Sequence, residues 1–173
     1  GHKKNRETLI RTIIWYIDQF GDNDTMEVVH FSDGRPAVEL SFTVELSDGV
    51  AYAGHMDRLV TYQGETFVQD QKTTGNTLSP TYFHQWDYPE PQMTGYNFAG
   101  KIIFNQPVKG IIIDAAQIAV GFSRFERGYT FRTDAQFGEW KDTVLYHVDL
   151  MHRGDFRMNP MSCDKYGGCI FRS

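Results

Sequence analysis

Asp57, Asp70 and Lys72 are the residues whose types and spacing point most directly to chemistry. They fall in two stretches of strand character, Val50–Val60 and Thr66–Thr73, separated by Tyr62-Gln63-Gly64-Glu65. A two-residue hairpin loop at Gln63-Gly64 sets Tyr62 opposite Glu65, and counting outward in antiparallel register sets Asp57 opposite Asp70. An earlier stretch, Val38–Leu46, joins through Ser47-Asp48-Gly49; as a three-residue loop this sets Leu46 against Val50 and Glu39 against Asp57. Three carboxylates then stand in one row, with Lys72 on the face of Asp70 and His55 on that of Asp57. Opposed like charges destabilise a strand pair by a fraction of about 1 kcal/mol when solvated and by more when sheltered. Lys72 supplies one compensating charge. A divalent cation supplies two, and oxygen ligands favour magnesium or manganese over zinc. Held by Asp57 and Asp70, such a cation acidifies a bound water and neutralises charge on a phosphorane-like transition state, while Lys72 orients or deprotonates the water. The row therefore suits phosphodiester hydrolysis. The bland alternative is a solvent-facing Asp-x-Lys ion pair, and a register slip of one residue would disperse the row.

The elements that must position these groups follow from periodicity. Leu9, Ile10, Ile13, Ile14, Ile17 and Phe20 recur at helical spacing from Arg6 to Phe20 and predict an amphipathic helix with that apolar face inward. After the three meander strands, Ser79 to Phe104 has helical spacing broken at Pro89 and Pro91, hence two helices. Gly110–Val120 is a nearly continuous β-rich run suited to a central strand covered on both faces. Phe122–Arg132 alternates aromatic and charged residues like a further strand, and Asp134–Met151 reads as a closing helix capped by Asp134. The order describes an α/β fold around a mixed sheet, an antiparallel meander followed by a helical crossover to a further strand.

Composition bounds the rest. A chain of 173 residues with 40% hydrophobic and 23% charged residues is a globular protein with room for one substantial core, so a single domain over 1–173 is expected. The longest apolar stretch, Gly110 to Phe122, carries Asp114 and Gln117 and is too short to span a membrane. Gly1-His2 looks like a protease scar with no export leader behind it, and the abrupt end at Ser173 reads as a domain cut from something longer. Two cysteines, Cys163 and Cys169, are too few for a disulfide scaffold and fit a reducing compartment, so a cytoplasmic location is expected. The net charge of −5 argues against a general nucleic-acid coating protein. It leaves room for a local track: Lys101, Lys109, Arg124, Arg127 and Arg132 face only Asp114 and Glu126 over that span. Phe122, Phe125, Tyr129 and Phe131 interleave with those arginines, as a base-stacking surface for single strands or as core.

Gly54-His55-Met56-Asp57-Arg58, Asp70-Gln71-Lys72-Thr73-Thr74 and Gln92-Met93-Thr94-Gly95-Tyr96 resemble the successive G-x-x-D-R, D-x-K and Q-x-x-x-Y motifs of the RecB-like branch of the PD-(D/E)XK nuclease superfamily. The match covers Val38 to Val120. It implies a restriction-endonuclease-like core, Asp57 and Asp70 as Mg²⁺ or Mn²⁺ ligands, and Lys72 as the catalytic lysine. Glu39 is similar to the upstream acidic ligand of several members, phage exonucleases among them. Many RecB and CRISPR-associated relatives use instead a histidine from an early helix, and the helix from Arg6 to Phe20 has none. Gln92 and Tyr96 are expected to border the site and contact DNA, or to brace the helix against the sheet. His55 is expected near the metal or a phosphate, with a structural role equally open, and Arg124 and Arg127 on the phosphate track. Cys163-Asp-Lys-Tyr-Gly-Gly-Cys169 resembles the C-terminal part of a four-cysteine iron–sulfur site, and with two cysteines present free thiols, or an adventitious disulfide, are the expected state. The resemblance implies a metal-dependent deoxyribonuclease, an exonuclease of recombination, repair or phage replication in a bacterial or phage-infected cell, acting on single-stranded or resected DNA ends, with a helicase or recombination partner. The alternative is a non-catalytic DNA-binding domain of a helicase–nuclease or polymerase assembly.

Overall fold

In the structure, a computed structural model, residues 5–104 and 107–156 are described. The described residues fall in two compact units, divided between Trp140 and Lys141. The first helix, α1 (Arg6–Phe20), opens on a capping box in which Asn5 accepts the Thr8 N–H at 2.9 Å and Thr8 Oγ1 accepts the Asn5 N–H at 3.0 Å. A short strand, β1 (Glu27–Val28), precedes the meander β2 (Val38–Ser47), β3 (Val50–Tyr62) and β4 (Glu65–Thr74). The helices α2 (Pro80–His84) and α3 (Pro91–Ile103) lead to β5 (Val108–Ile118), β6 (Ser123–Thr130) and α4 (Asp134–His152). The fold class is the expected one, a mixed sheet flanked by helices.

Both hairpin registers agree with the count from sequence. Gln63 and Gly64 take φ of 51° and 79°, the paired positive angles of a type I′ turn, and Tyr62 pairs with Glu65. The β2–β3 turn is Asp48-Gly49, two residues and not three; a bulge between Glu45 and Ser47 absorbs the extra residue, so Val44 still opposes Tyr52. β5 runs parallel to β4 and antiparallel to β6, which makes it the buried central strand its composition predicts. One face of the sheet carries Met56, Leu59, Val68, Ile111 and Ile113 against Met93 and Ala99 of α3. A smaller cluster of Met26, Val60, Phe67 and Ile112 fills the other.

Two local expectations are corrected. The cap of α4 is Thr133, which accepts the Gln136 N–H at 3.3 Å while Gln136 Oε1 accepts the Thr133 N–H at 2.9 Å; Asp134 lies within the helix. The orientation of α1 also differs. Leu9, Ile10, Ile13, Ile14 and Ile17 are all about half exposed, and Thr8 and Thr12 are buried instead. Polar partners across the fold select the threonine stripe: Thr12 Oγ1 lies 2.7 Å from Ser123 Oγ, and Arg11 donates to the Ala119, Val120 and Phe122 carbonyls, while Phe20 of the expected face packs against Phe125. No described helix is long and apolar enough to cross a membrane.

Candidate active site

The β3–β4 ladder runs from Tyr62–Glu65 to Arg58–Gln69 and stops there. Beyond that rung β3 pairs only with β2, and β4 only with β5, so the sheet forks at Asp57 and Asp70. The burial alternation of β3 breaks at the same point, because Met56 and Leu59, three apart, both enter one core cluster. Asp57 lies in that break. Its carboxylate turns along the sheet, and Oδ2 accepts the Gln71 N–H of β4 at 2.7 Å, which closes the fork by a side chain where backbone pairing has ended.

Asp70 is the buried member, its side chain 3% exposed. Lys72 Nζ lies 2.6 Å from Asp70 Oδ2, as expected for residues on one strand face. This charge-assisted contact offsets part of the cost of burying the Asp70 carboxylate. Burial pushes the Asp70 carboxyl above its ordinary range; Lys72 opposes the shift, while the Asp57 and Glu90 charges add to it.

The Gln-x-x-x-Tyr helix docks on this ion pair. Gln92 Oε1 accepts from Lys72 Nζ at 3.3 Å, and Gln92 Nε2 donates to Tyr96 Oη at 3.1 Å. A continuous polar line therefore runs Asp70, Lys72, Gln92, Tyr96. The close seat of α3 depends on Gly95, where a Cβ would collide with the Tyr52 ring on the half of β3 that pairs with β2. Burial, with Tyr96 and Glu90 nearby, pushes the Tyr52 phenol up to about 12 and keeps it protonated. Two residues of this site carried no expectation. Trp86 lies with its ring 5.1 Å from Lys72 Nζ, a cation–π contact, and nothing in its sequence neighbourhood marks it. Glu90 accepts the Met93 N–H at 2.7 Å at the start of α3; its place just before Pro91 is a legible helix-start signal.

Several expected positions lie elsewhere. Glu39 keeps its register position between the pairs Val38–Arg58 and Leu40–Met56, but its φ of 49° turns it out of the ladder and it is exposed. Among the described residues no three His, Cys, Asp or Glu side chains come together to hold a metal, so the row of three carboxylates is not formed. His55 is exposed and its Nδ1 lies 2.9 Å from Ser41 Oγ on its cross-strand partner. Arg127 is not on an open track: its side chain is 9% exposed and pairs with Asp24 at 2.6 Å, above the Phe20 ring. Arg132 is buried too, bonded to Thr94, Thr130 and the Trp86 carbonyl. Arg124 is exposed, 5.5 Å from the Phe122 ring. Cys163 and Cys169 lie outside the described residues.

Residues 3–173 match the PD-(D/E)XK nuclease superfamily, and the chain belongs to it. Comparison with curated proteins finds no match. Among solved structures it is similar to a presumed exonuclease from Eubacterium rectale, at 11% identity and a TM-score of 0.50, over 89% of this chain and 58% of that one. It is also similar to SSO0001, at 14% identity and a TM-score of 0.40, over 82% of this chain and 61% of that one. This chain therefore spans only about three fifths of either solved chain, and the first likeness is one of fold.

Proposed function

We propose that the chain is a divalent-metal-dependent deoxyribonuclease, exonucleolytic and of the RecB-like kind, acting on single-stranded or resected DNA ends in recombination, repair or phage replication. The observation that carries this reading is the polar line from Asp70 through Lys72 to Gln92 and Tyr96, beside Asp57 at the fork. A bare ion pair on a strand needs no helix docked onto its ammonium. Asp57 and Asp70 fit a dication: the donors are all oxygen, Asp70 is buried, and the Asp57 and Glu90 charges bear on it against the one ammonium of Lys72. Two protein carboxylates suffice for magnesium, which keeps several waters and takes further oxygens from phosphate. When bound there, the ion lowers the pKa of a coordinated water and neutralises charge on the phosphoryl oxygens.

The chain's own groups do the rest. Gln92 and Trp86 hold the Lys72 ammonium in place. An ammonium has three N–H donors, and the one not directed at Asp70 or Gln92 can orient the attacking water or bind a non-bridging phosphate oxygen. Tyr96 fixes the amide of Gln92 so that its oxygen faces Lys72. Incubation of labelled linear and circular DNA, single- and double-stranded, with Mg²⁺, Mn²⁺ or EDTA tests the reading beside Asp70→Ala and Lys72→Ala. Loss of cleavage in EDTA and in both variants supports it. Cleavage that persists in EDTA overturns the metal mechanism, and binding without any cleavage returns the non-catalytic DNA-binding reading.

A further inference from the structure

The last rung before the fork pairs Arg58 with Gln69, and each is the chain neighbour of one site aspartate, Asp57 or Asp70. Side chains alternate faces along β4, so Gln69 points away from Asp70 to the reverse side of the sheet. There both rung residues reach one oxygen: Gln69 Nε2 donates to Asp114 Oδ2 at 2.8 Å, and Arg58 Nη2 lies 3.6 Å from the same atom. Asp114 stands on β5 with its side chain 1% exposed. Tyr16 of α1 donates to Oδ2 at 2.5 Å, and Arg127 of β6 approaches it to 3.5 Å. We infer that Asp114 is a positioning residue for the nuclease site, a clamp on the reverse face that locks the final rung and so sets where β3 and β4 part.

The forces at the fork require such a clamp. Asp57 and Asp70 are like-charged groups on neighbouring strands, and beyond the rung these strands no longer pair. Whatever holds Arg58 against Gln69 therefore fixes the separation of the carboxylates. A carboxylate suits the place because it accepts from a neutral amide and a phenol while two guanidinium groups, Arg58 and Arg127, offset its buried charge. The inference rests on the reading of Asp57 and Asp70 as metal ligands, and its test separates the two.

Asp114→Asn is compared with Asp24→Asn, which removes the other carboxylate of Arg127; among the described residues the Asp24 side chain bonds Arg127 and the Met26 N–H. Two quantities are read: amide hydrogen exchange at Gln71, whose N–H closes the fork, and binding of Mn²⁺ alone, followed by the electron paramagnetic resonance of the free ion. Asp114→Asn is expected to speed Gln71 exchange and weaken Mn²⁺ binding each by about tenfold, the scale of groups that orient metal ligands from outside the coordination sphere. Asp24→Asn is expected to shift only the unfolding temperature. Should Asp114→Asn fail to fold, Gln69→Leu cuts one arm of the clamp and is expected to move both quantities in the same direction. If Gln71 exchange in the Asp114 or Gln69 variant matches Asp24→Asn, the clamp is overturned. If exchange separates the variants while Mn²⁺ ignores the wild type, the clamp stands and the metal assignment falls.

Discussion

Asp57 Oδ2 accepts the Gln71 backbone N–H at 2.7 Å across a gap where β3 and β4 have ceased to pair. One carboxylate thus does two things: it satisfies an orphaned amide of β4 and offers its charge at the fork. Asp57→Asn separates these, since the amide oxygen still accepts the bond but carries no charge. Its unfolding temperature should stay within a few degrees of the wild type while cleavage falls by about 10³-fold or more. Asp57→Ala leaves the exposed amide to water and should cost a further ~0.5–1 kcal/mol. Thermal melts beside a nuclease assay distinguish the two.

Lys72 is held from three directions, by Asp70, Gln92 and Trp86. Lys72→Met should reduce the turnover rate by ~10²–10⁴-fold, the range of a positioned proton-transfer or donor group. Gln92→Leu keeps the ammonium but removes one of its guides, so a smaller loss of about tenfold is expected, seen in kcat more than in KM. A Gln92→Leu enzyme with unchanged kcat would show that the helix only braces the sheet.

Asp70 gives stability a definite pH sign. Its folded pKa is raised above the unfolded value, chiefly by burial, so the folded state binds its proton more tightly. Stability from this group is present at low pH and is lost as pH rises through the interval between the unfolded and folded values. Asp70→Asn should therefore be more stable than the metal-free wild type at pH 7, by about 1 kcal/mol or 2–4 °C. The difference should shrink as pH falls through the folded pKa. Added Mn²⁺ should raise the unfolding temperature of the wild type and not of the variant.

Arg124 and Arg127 lie three apart and should behave oppositely. Arg127 is an almost buried partner of Asp24 and Asp114, and Arg127→Ala strands two carboxylates at a cost of roughly 3–5 kcal/mol. Exposed Arg124 has little structural role, so Arg124→Ala should leave the melting temperature alone and weaken DNA binding, with the salt slope reduced by about 1. Titration of DNA at several salt concentrations checks both.

The register of the meander was legible because its determinants are local. Gln63-Gly64 selects a tight turn, the turn sets the pairing, and the pairing brings Asp57 and Asp70, thirteen positions apart in the chain, to facing places just beyond the Arg58–Gln69 rung. Helix ends were legible for the same reason: Pro91 behind Glu90 marks the start of α3, while Thr133 with Gln136 outcompetes Asp134 as the cap of α4. Where two signals competed within a few residues, sequence alone chose wrongly at α4.

Burial and the reach of side chains were not legible, because they depend on what lies across the fold. The isoleucines of α1 look like its inner face until the polar network under the helix calls for Thr12, Arg11 and Tyr16. Glu39 sits at the anticipated register but a left-handed backbone turn takes it out of the ladder. Arg127 looks like a phosphate ligand by its neighbours in the chain and becomes an ion-pair residue through Asp24, 103 positions away. The sequence by itself thus determined which strands pair and which acidic and basic groups share a strand, since turns and alternation act over a few residues. Only the tertiary structure decided which charges meet, because desolvation and pairing are set by groups brought from distant segments, as Asp114 is to Arg58 and Gln69.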